Sequence, residues 1–196
     1  MKTTILTVFL LVTACLTIYG QDNFLKKGNE YLNAKQFDQA EQIFRDGIKA
    51  DSTNLVYQCQ LGLTLIEQKK YIDAENILNL VLKVDSNNDG AIWYSGICNY
   101  QGGNYGKAIT KFEKALTLLD KNSGQYYSAN WFIGKSYSKL LKTEGLTFQE
   151  TDRMFECLEE YVRLQPNAED AAKIKEYVER KKQRRPPSNV KKWVDL

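Results

Sequence analysis

The chain has 196 residues, 43% of them apolar, and a formal net charge of +3, enough for one domain or a short array of repeats with an ordinary core. It contains no histidine and no Cys-x-x-Cys pair, which removes the commonest general base and the usual metal-binding spacing, so neither a metal nor a cofactor is predicted. Residues 22–172 carry 17 basic and 21 acidic side chains, whereas 173–196 carry nine and three; a mildly acidic body with a basic tail argues against a nucleic-acid-binding fold.

The chain begins M-K-T-T-I-L-T-V-F-L-L-V-T-A-C-L-T-I-Y-G-Q, one lysine and then an uncharged apolar run from Ile5 to Tyr19. As a helix this run spans roughly 22 Å, short of a hydrocarbon layer of about 30 Å. Residues 1–20 are therefore predicted to be a secretory signal. Two readings of its processing stay open. Cleavage near the small Gly20 leaves a soluble exported chain in the periplasm, and the apolar Leu16-Thr17-Ile18-Tyr19 favours it. Val12-Thr13-Ala14-Cys15 instead resembles a bacterial lipobox, in which Cys15 is lipidated and tethers the chain to a membrane.

From residue 21 the sequence repeats at intervals of 34. Gly28, Gly62 and Gly96 coincide, as do Phe37, Tyr71 and Tyr105, and Ala40, Ala74 and Ala108. Each unit predicts two amphipathic helices of about a dozen residues, joined by a turn at 34–36, 68–70 or 101–104. Asp51-Ser52-Thr53-Asn54 and Asp85-Ser86-Asn87-Asn88 supply turn formers and helix N-caps between units. Repeats are placed at about 21–54, 55–88 and 89–122.

A fourth repeat, about 125–166, departs from the period. Gly134 lies 38 residues after Gly96, and Thr147-Phe148-Gln149-Glu150 has capping-box spacing at the start of a late second helix. Met154 stands where alanine is expected, which predicts a splayed hairpin. Asn167 caps a closing helix over 167–182. Residues 183–196, broken by Pro186-Pro187, are predicted as a basic, disordered tail; contact with anionic lipid or an acidic partner is the other reading of its charge. Cys59, Cys98 and Cys157 read as small packing residues, with a Cys59–Cys98 disulfide as the alternative.

This pattern resembles the tetratricopeptide repeat family, whose repeat places a small residue at position 8, Ala at 20, an aromatic at 24 and Ala at 27. Repeat 1 carries Gly28, Ala40, Phe44 and Gly47 there. The resemblance implies an all-α, right-handed α-solenoid of about four helix hairpins with a capping helix at its C-terminal end. It also implies that the first helix of each pair lines a concave surface. The inward columns then hold Asn29 in repeat 1, Gln60 and Leu63 in repeat 2, Trp93, Tyr94, Ile97 and Tyr100 in repeat 3, and Trp131, Phe132 and Lys135 in repeat 4.

Trp93 and Trp131 share a column, which predicts two indoles side by side. Either they form a binding hot spot or they fill the junction of repeats 3 and 4. One subclass of the family grips a C-terminal carboxylate with lysine and asparagine; only Asn29 matches that pattern, so such a clamp is disfavoured. No Gly-rich phosphate loop or nucleophile elbow appears, and Glu156, Glu159 and Glu160 read as a solvated helix face. The expected function is non-enzymatic binding of a protein or peptide partner in the cell envelope, as an adaptor or assembly factor, and the tethered reading sets the same module in a membrane-bound assembly or secretion complex.

Overall fold

The computed structural model describes residues 23–195. The expected signal segment, its cleavage sites and Cys15 lie outside the described residues. The described chain is a succession of helices: α1 over 23–33, α2 Phe37–Ala50, α3 Leu55–Glu67, α4 Tyr71–Val84, α5 Asp89–Gln101, α6 Tyr105–Leu116, α7 Gly124–Thr143, α8 Phe148–Leu164 and α9 Ala171–Arg184. Among the described residues β pairing is limited to one isolated antiparallel bridge, Leu146 with Trp193. Two compact units divide between Ser86 and Asn87. The first holds hairpins α1–α2 and α3–α4; the second holds α5–α6, α7–α8 and α9.

The turn inside each regular hairpin follows from one hydrogen-bonding pattern repeated every 34 residues. Gln36 N donates to Tyr31 O, Lys70 N to Leu65 O and Asn104 N to Asn99 O, each at 2.8 Å. That six-residue closure requires a left-handed residue just before the donor. Lys35 (φ 58°), Lys69 (φ 62°) and Gly103 (φ 80°) occupy those places. Between hairpins, Asn54 accepts from Val56 N and Asn88 from Ala91 N, so the expected asparagine caps are formed.

The small residue of the first helix is where the two helices of a hairpin touch. A Cβ placed on Gly28 would stand 2.4 Å from Phe44, one on Gly62 2.6 Å from Leu78, and one on Gly96 2.7 Å from Phe112. No larger residue fits without displacing the partner ring or chain. In the first unit this contact lies over a core of Phe44, Tyr57, Leu61, Leu65 and Leu78, all buried. Gln68 and Lys70, in the α3–α4 turn, also donate to Asp38 (2.9 Å) and Glu41 (3.0 Å) of α2.

Hairpin α7–α8 keeps the same contact at a different spacing. A Cβ on Gly134 would stand 2.5 Å from Leu158, 24 residues along, where the regular hairpins use 16. The eight additional residues divide about equally between the two arms. Four on each arm amount to one helical turn, so the inward faces stay in register. The hairpin is therefore not splayed at this contact, contrary to expectation. Met154 is fully buried and is accommodated by Ser138, whose Oγ lies 3.5 Å from its Sδ, in a column held by Leu32, Ile66 and Tyr100 in the other repeats. α8 begins with the predicted capping box, Thr147 and Glu150 each bonding the other's backbone N–H.

Two further expectations are corrected. α9 starts at Ala171 rather than at a cap on Asn167, and the Asp170 side chain before it makes no capping bond. The tail, expected to be disordered, returns along the lengthened end of α7–α8. Trp193 and Leu146 exchange backbone hydrogen bonds at 2.8 Å, and Asp195 N donates to Leu141 O at 3.1 Å. Asp195, buried, pairs with buried Lys181 and with Arg184. Arg185 lies over the Phe148 ring at 3.3 Å and donates to Asp152 at 2.6 Å. The tail carries its own acid and its own apolar residues, and those hold it down. Cys59, Cys98 and Cys157 are buried and in no disulfide, so the disulfide alternative is not formed.

Candidate functional site

Of the ten inward residues named from the sequence, Asn29, Gln60 and Leu63 lie in the first unit and seven in the second. The three are half-buried, Asn29 on α1 and the others on α3. Gln60 contributes its carbonyl to Thr64 Oγ1 at 2.8 Å, an interaction within its own helix.

The second unit gathers the other seven on two helices. On α5, the face of Ala91, Ile92, Ser95, Gly96, Cys98 and Asn99 is buried. Trp93, Ile97 and Tyr100, at i, i+4 and i+7, form a half-buried stripe beside it, with Tyr94 adjacent. The stripe packs on a core of Ala108, Ile109, Phe112, Ala129, Ile133 and Cys157.

Phe132, on α7, organises this face. Its ring stacks on Phe112 at 4.6 Å and 3° and meets Tyr100 at 5.0 Å, Trp131 at 5.0 Å and Trp93 at 6.2 Å, all three near right angles. Trp93 and Trp131 thus do not lie side by side as expected; Phe132 bridges them. Their shared column in the sequence identified the region, while the more central Phe132 drew attention only as one inward residue among several.

Trp131 is fixed from the far side. Its Nε1 donates to Asp170 at 2.8 Å, and Tyr161 Oη donates to the other carboxylate oxygen at 2.8 Å. Burial alone would push the Asp170 carboxyl up, but these two hydrogen bonds and the nearby Lys135 charge hold it below its ordinary value. Burial first, and then the bond to Asp170, pushes the Tyr161 phenol up to about 12. The Lys135 ammonium sits 5.3 Å from the Trp131 ring centroid. The role of Asp170 had a weak signal in sequence, since it reads as one more acid in the first turn of the predicted closing helix.

Lys135 and Asp170 also stand at the mouth of a cavity of about 460 Å³ between α7 and α9. The arrangement presents aromatic surface, one fixed cation and a concavity. Burial pushes the Cys157 thiol up to about 12, so it is a poor nucleophile. Among the described residues no cluster of three metal-ligating side chains occurs, and no helix is long and apolar enough to cross a membrane.

The sequence pattern of the tetratricopeptide repeat matches residues 22–54. Residues 22–54 carry a tetratricopeptide repeat. The repeat-containing protein MJ1428 of Methanocaldococcus jannaschii is 34% identical over 67 residues, which are 34% of this chain and 12% of that protein's length. The solved structure of YrrB, described as a TPR protein with an unusual peptide-binding site, superposes with a TM-score of 0.62 at 18% identity over 80% of this chain and 74% of that one. MamA superposes with a TM-score of 0.65 at 21% identity over 80% and 84%. These likenesses, together with the repeated hairpin contacts, give the fold as an all-α repeat solenoid.

Proposed function

We propose that this protein is a non-enzymatic interaction module, an adaptor or assembly factor of the bacterial cell envelope, that holds a segment of a partner polypeptide against the first helices of its hairpins. The observation that carries this reading is the half-buried aromatic face of α5 and α7, where Trp93, Tyr94, Tyr100 and Trp131 expose part of their rings beside Lys135. Large aromatic side chains held rigidly by packing contribute contact area at small entropic cost and dominate interaction hot spots. Repeat hairpins present such faces without chemistry of their own, and a peptide-binding site is described for YrrB. The envelope setting rests on the apolar N-terminal run after Lys2. Soluble export and tethering through Cys15 differ by the mass of the mature N-terminus.

Capture of partners from crosslinked envelopes tests the binding face. Wild type is expected to recover a partner that Trp93→Ala/Tyr94→Ala recovers poorly, with helical content unchanged. Equal recovery of every partner by both proteins contradicts it.

A further inference from the structure

The cavity between α7 and α9 has an apolar floor and a cationic rim. Leu158, Ile174 and Tyr177 form the floor. Lys135, Lys139 and Lys142 stand along α7, and Lys173 and Arg180 along α9, five cations against the two carboxylates of Asp170 and Glu176. Asp170 is already committed to Trp131 and Tyr161. None of the five cations is within ion-pair distance of an acid among the described residues.

The basic residues that follow behave differently. Lys181 and Arg184 pair with Asp195, Lys182 with Glu159 and Arg185 with Asp152. Four of the nine basic residues of 173–196 are therefore paired within the molecule, whereas Lys173 and Arg180, with the three lysines of α7, line the cavity without an ion pair. Paired cations attract little; unpaired ones on two walls of a concavity focus their field into it.

From this we infer that the α7–α9 cavity receives an acidic peptide segment carrying one large apolar side chain. The apolar group lies on Leu158, Ile174 and Tyr177, and flanking carboxylates meet Lys139, Lys142, Lys173 and Arg180. This deepens the proposed function, on which it rests, by naming the chemistry of the partner. A bilayer surface is the less fitting occupant, because it is flat and the cations stand around a hollow.

Fluorescence polarisation with the full chain tests it, using the labelled, end-capped peptides D-E-F-E-D, N-Q-F-Q-N and D-E-G-E-D. The acidic phenylalanine peptide is expected to bind about tenfold more tightly than either other peptide, a difference of about 1.4 kcal/mol, because it alone offers both charge-assisted contacts and a ring to bury. Its affinity falls as salt is raised. Lys139→Glu/Lys173→Glu/Arg180→Glu abolishes this preference, whereas Lys191→Glu/Lys192→Glu, charge reversals outside the cavity, retains it. If the triple reversal unfolds, Lys139→Gln/Lys173→Gln/Arg180→Gln serves with the same expectation.

Equal binding by the cavity variant, no preference for the acidic peptide, or binding to phosphatidylserine vesicles without binding to D-E-F-E-D overturns the inference. A partner still captured from envelopes by the cavity variant, but not by Trp93→Ala/Tyr94→Ala, overturns the cavity assignment and leaves the interaction module standing.

Discussion

Gly134 and Leu158 meet as closely as Gly96 and Phe112 do, although eight more residues separate them. One added helical turn on each arm of the α7–α8 hairpin preserves the approach. Gly134→Ala is expected to lower stability by about 1–3 kcal/mol, because the new methyl group enters occupied space. Chemical denaturation measures this. Adding Leu158→Ala removes the clash, so the double variant loses less than the sum of the two single changes.

The left-handed lysines give a prediction of opposite sign. Lys35 and Lys69 hold positive φ at the place where the third hairpin uses Gly103. Lys35→Gly and Lys69→Gly are each expected to raise stability by about 0.5 kcal/mol, and Gly103→Ala to lower it by about 1 kcal/mol. No atom crowds Gly103, so its cost is backbone strain alone. Thermal unfolding of the three variants ranks them.

These two sites also show what was legible in the sequence. The 34-residue period exposed the glycine contacts, the turns and the asparagine caps, because each is a local requirement that recurs in register. It did not expose the lengthened hairpin, whose extra residues conserve a three-dimensional contact while breaking the spacing. Nor did it expose the partners of Asp170 or Asp195. Asp170 meets Trp131 from 39 residues away, and Asp195 closes a tail that composition alone described as basic and unpacked. The candidate face was half legible: its column of tryptophans was visible, but not the Phe132 ring between them.

Asp170 gives the second unit a pH-dependent term. Its carboxyl is held below its ordinary value in the folded chain, so the stability it contributes is fully present above the unfolded value of about 3.9 and is lost as pH falls through the folded value. Asp170→Asn is expected to cost about 1–3 kcal/mol at neutral pH, through loss of charged acceptors for Trp131 and Tyr161. Denaturant midpoints taken from pH 7 to pH 3 should converge for wild type and variant at the acid end.

The tail is anchored by Lys181 and Asp195, whose side chains are 6% and 4% exposed. Asp195→Asn leaves a buried ammonium without its main counter-charge and is expected to cost about 3 kcal/mol. Lys181→Met/Asp195→Leu, which removes both charges, recovers most of that loss. Limited proteolysis after Lys191 reports release of the tail directly, rapid in the single variant and slow in the double.

Photo-crosslinking in cells tests whether the face of α5 and α7 holds a partner polypeptide. Benzoylphenylalanine replaces Tyr94 in one strain and Ile72, an α4 side chain 79% exposed, in another. A discrete protein adduct is expected from position 94 and none from position 72. Adducts from position 72 alone, or from neither position, contradict it.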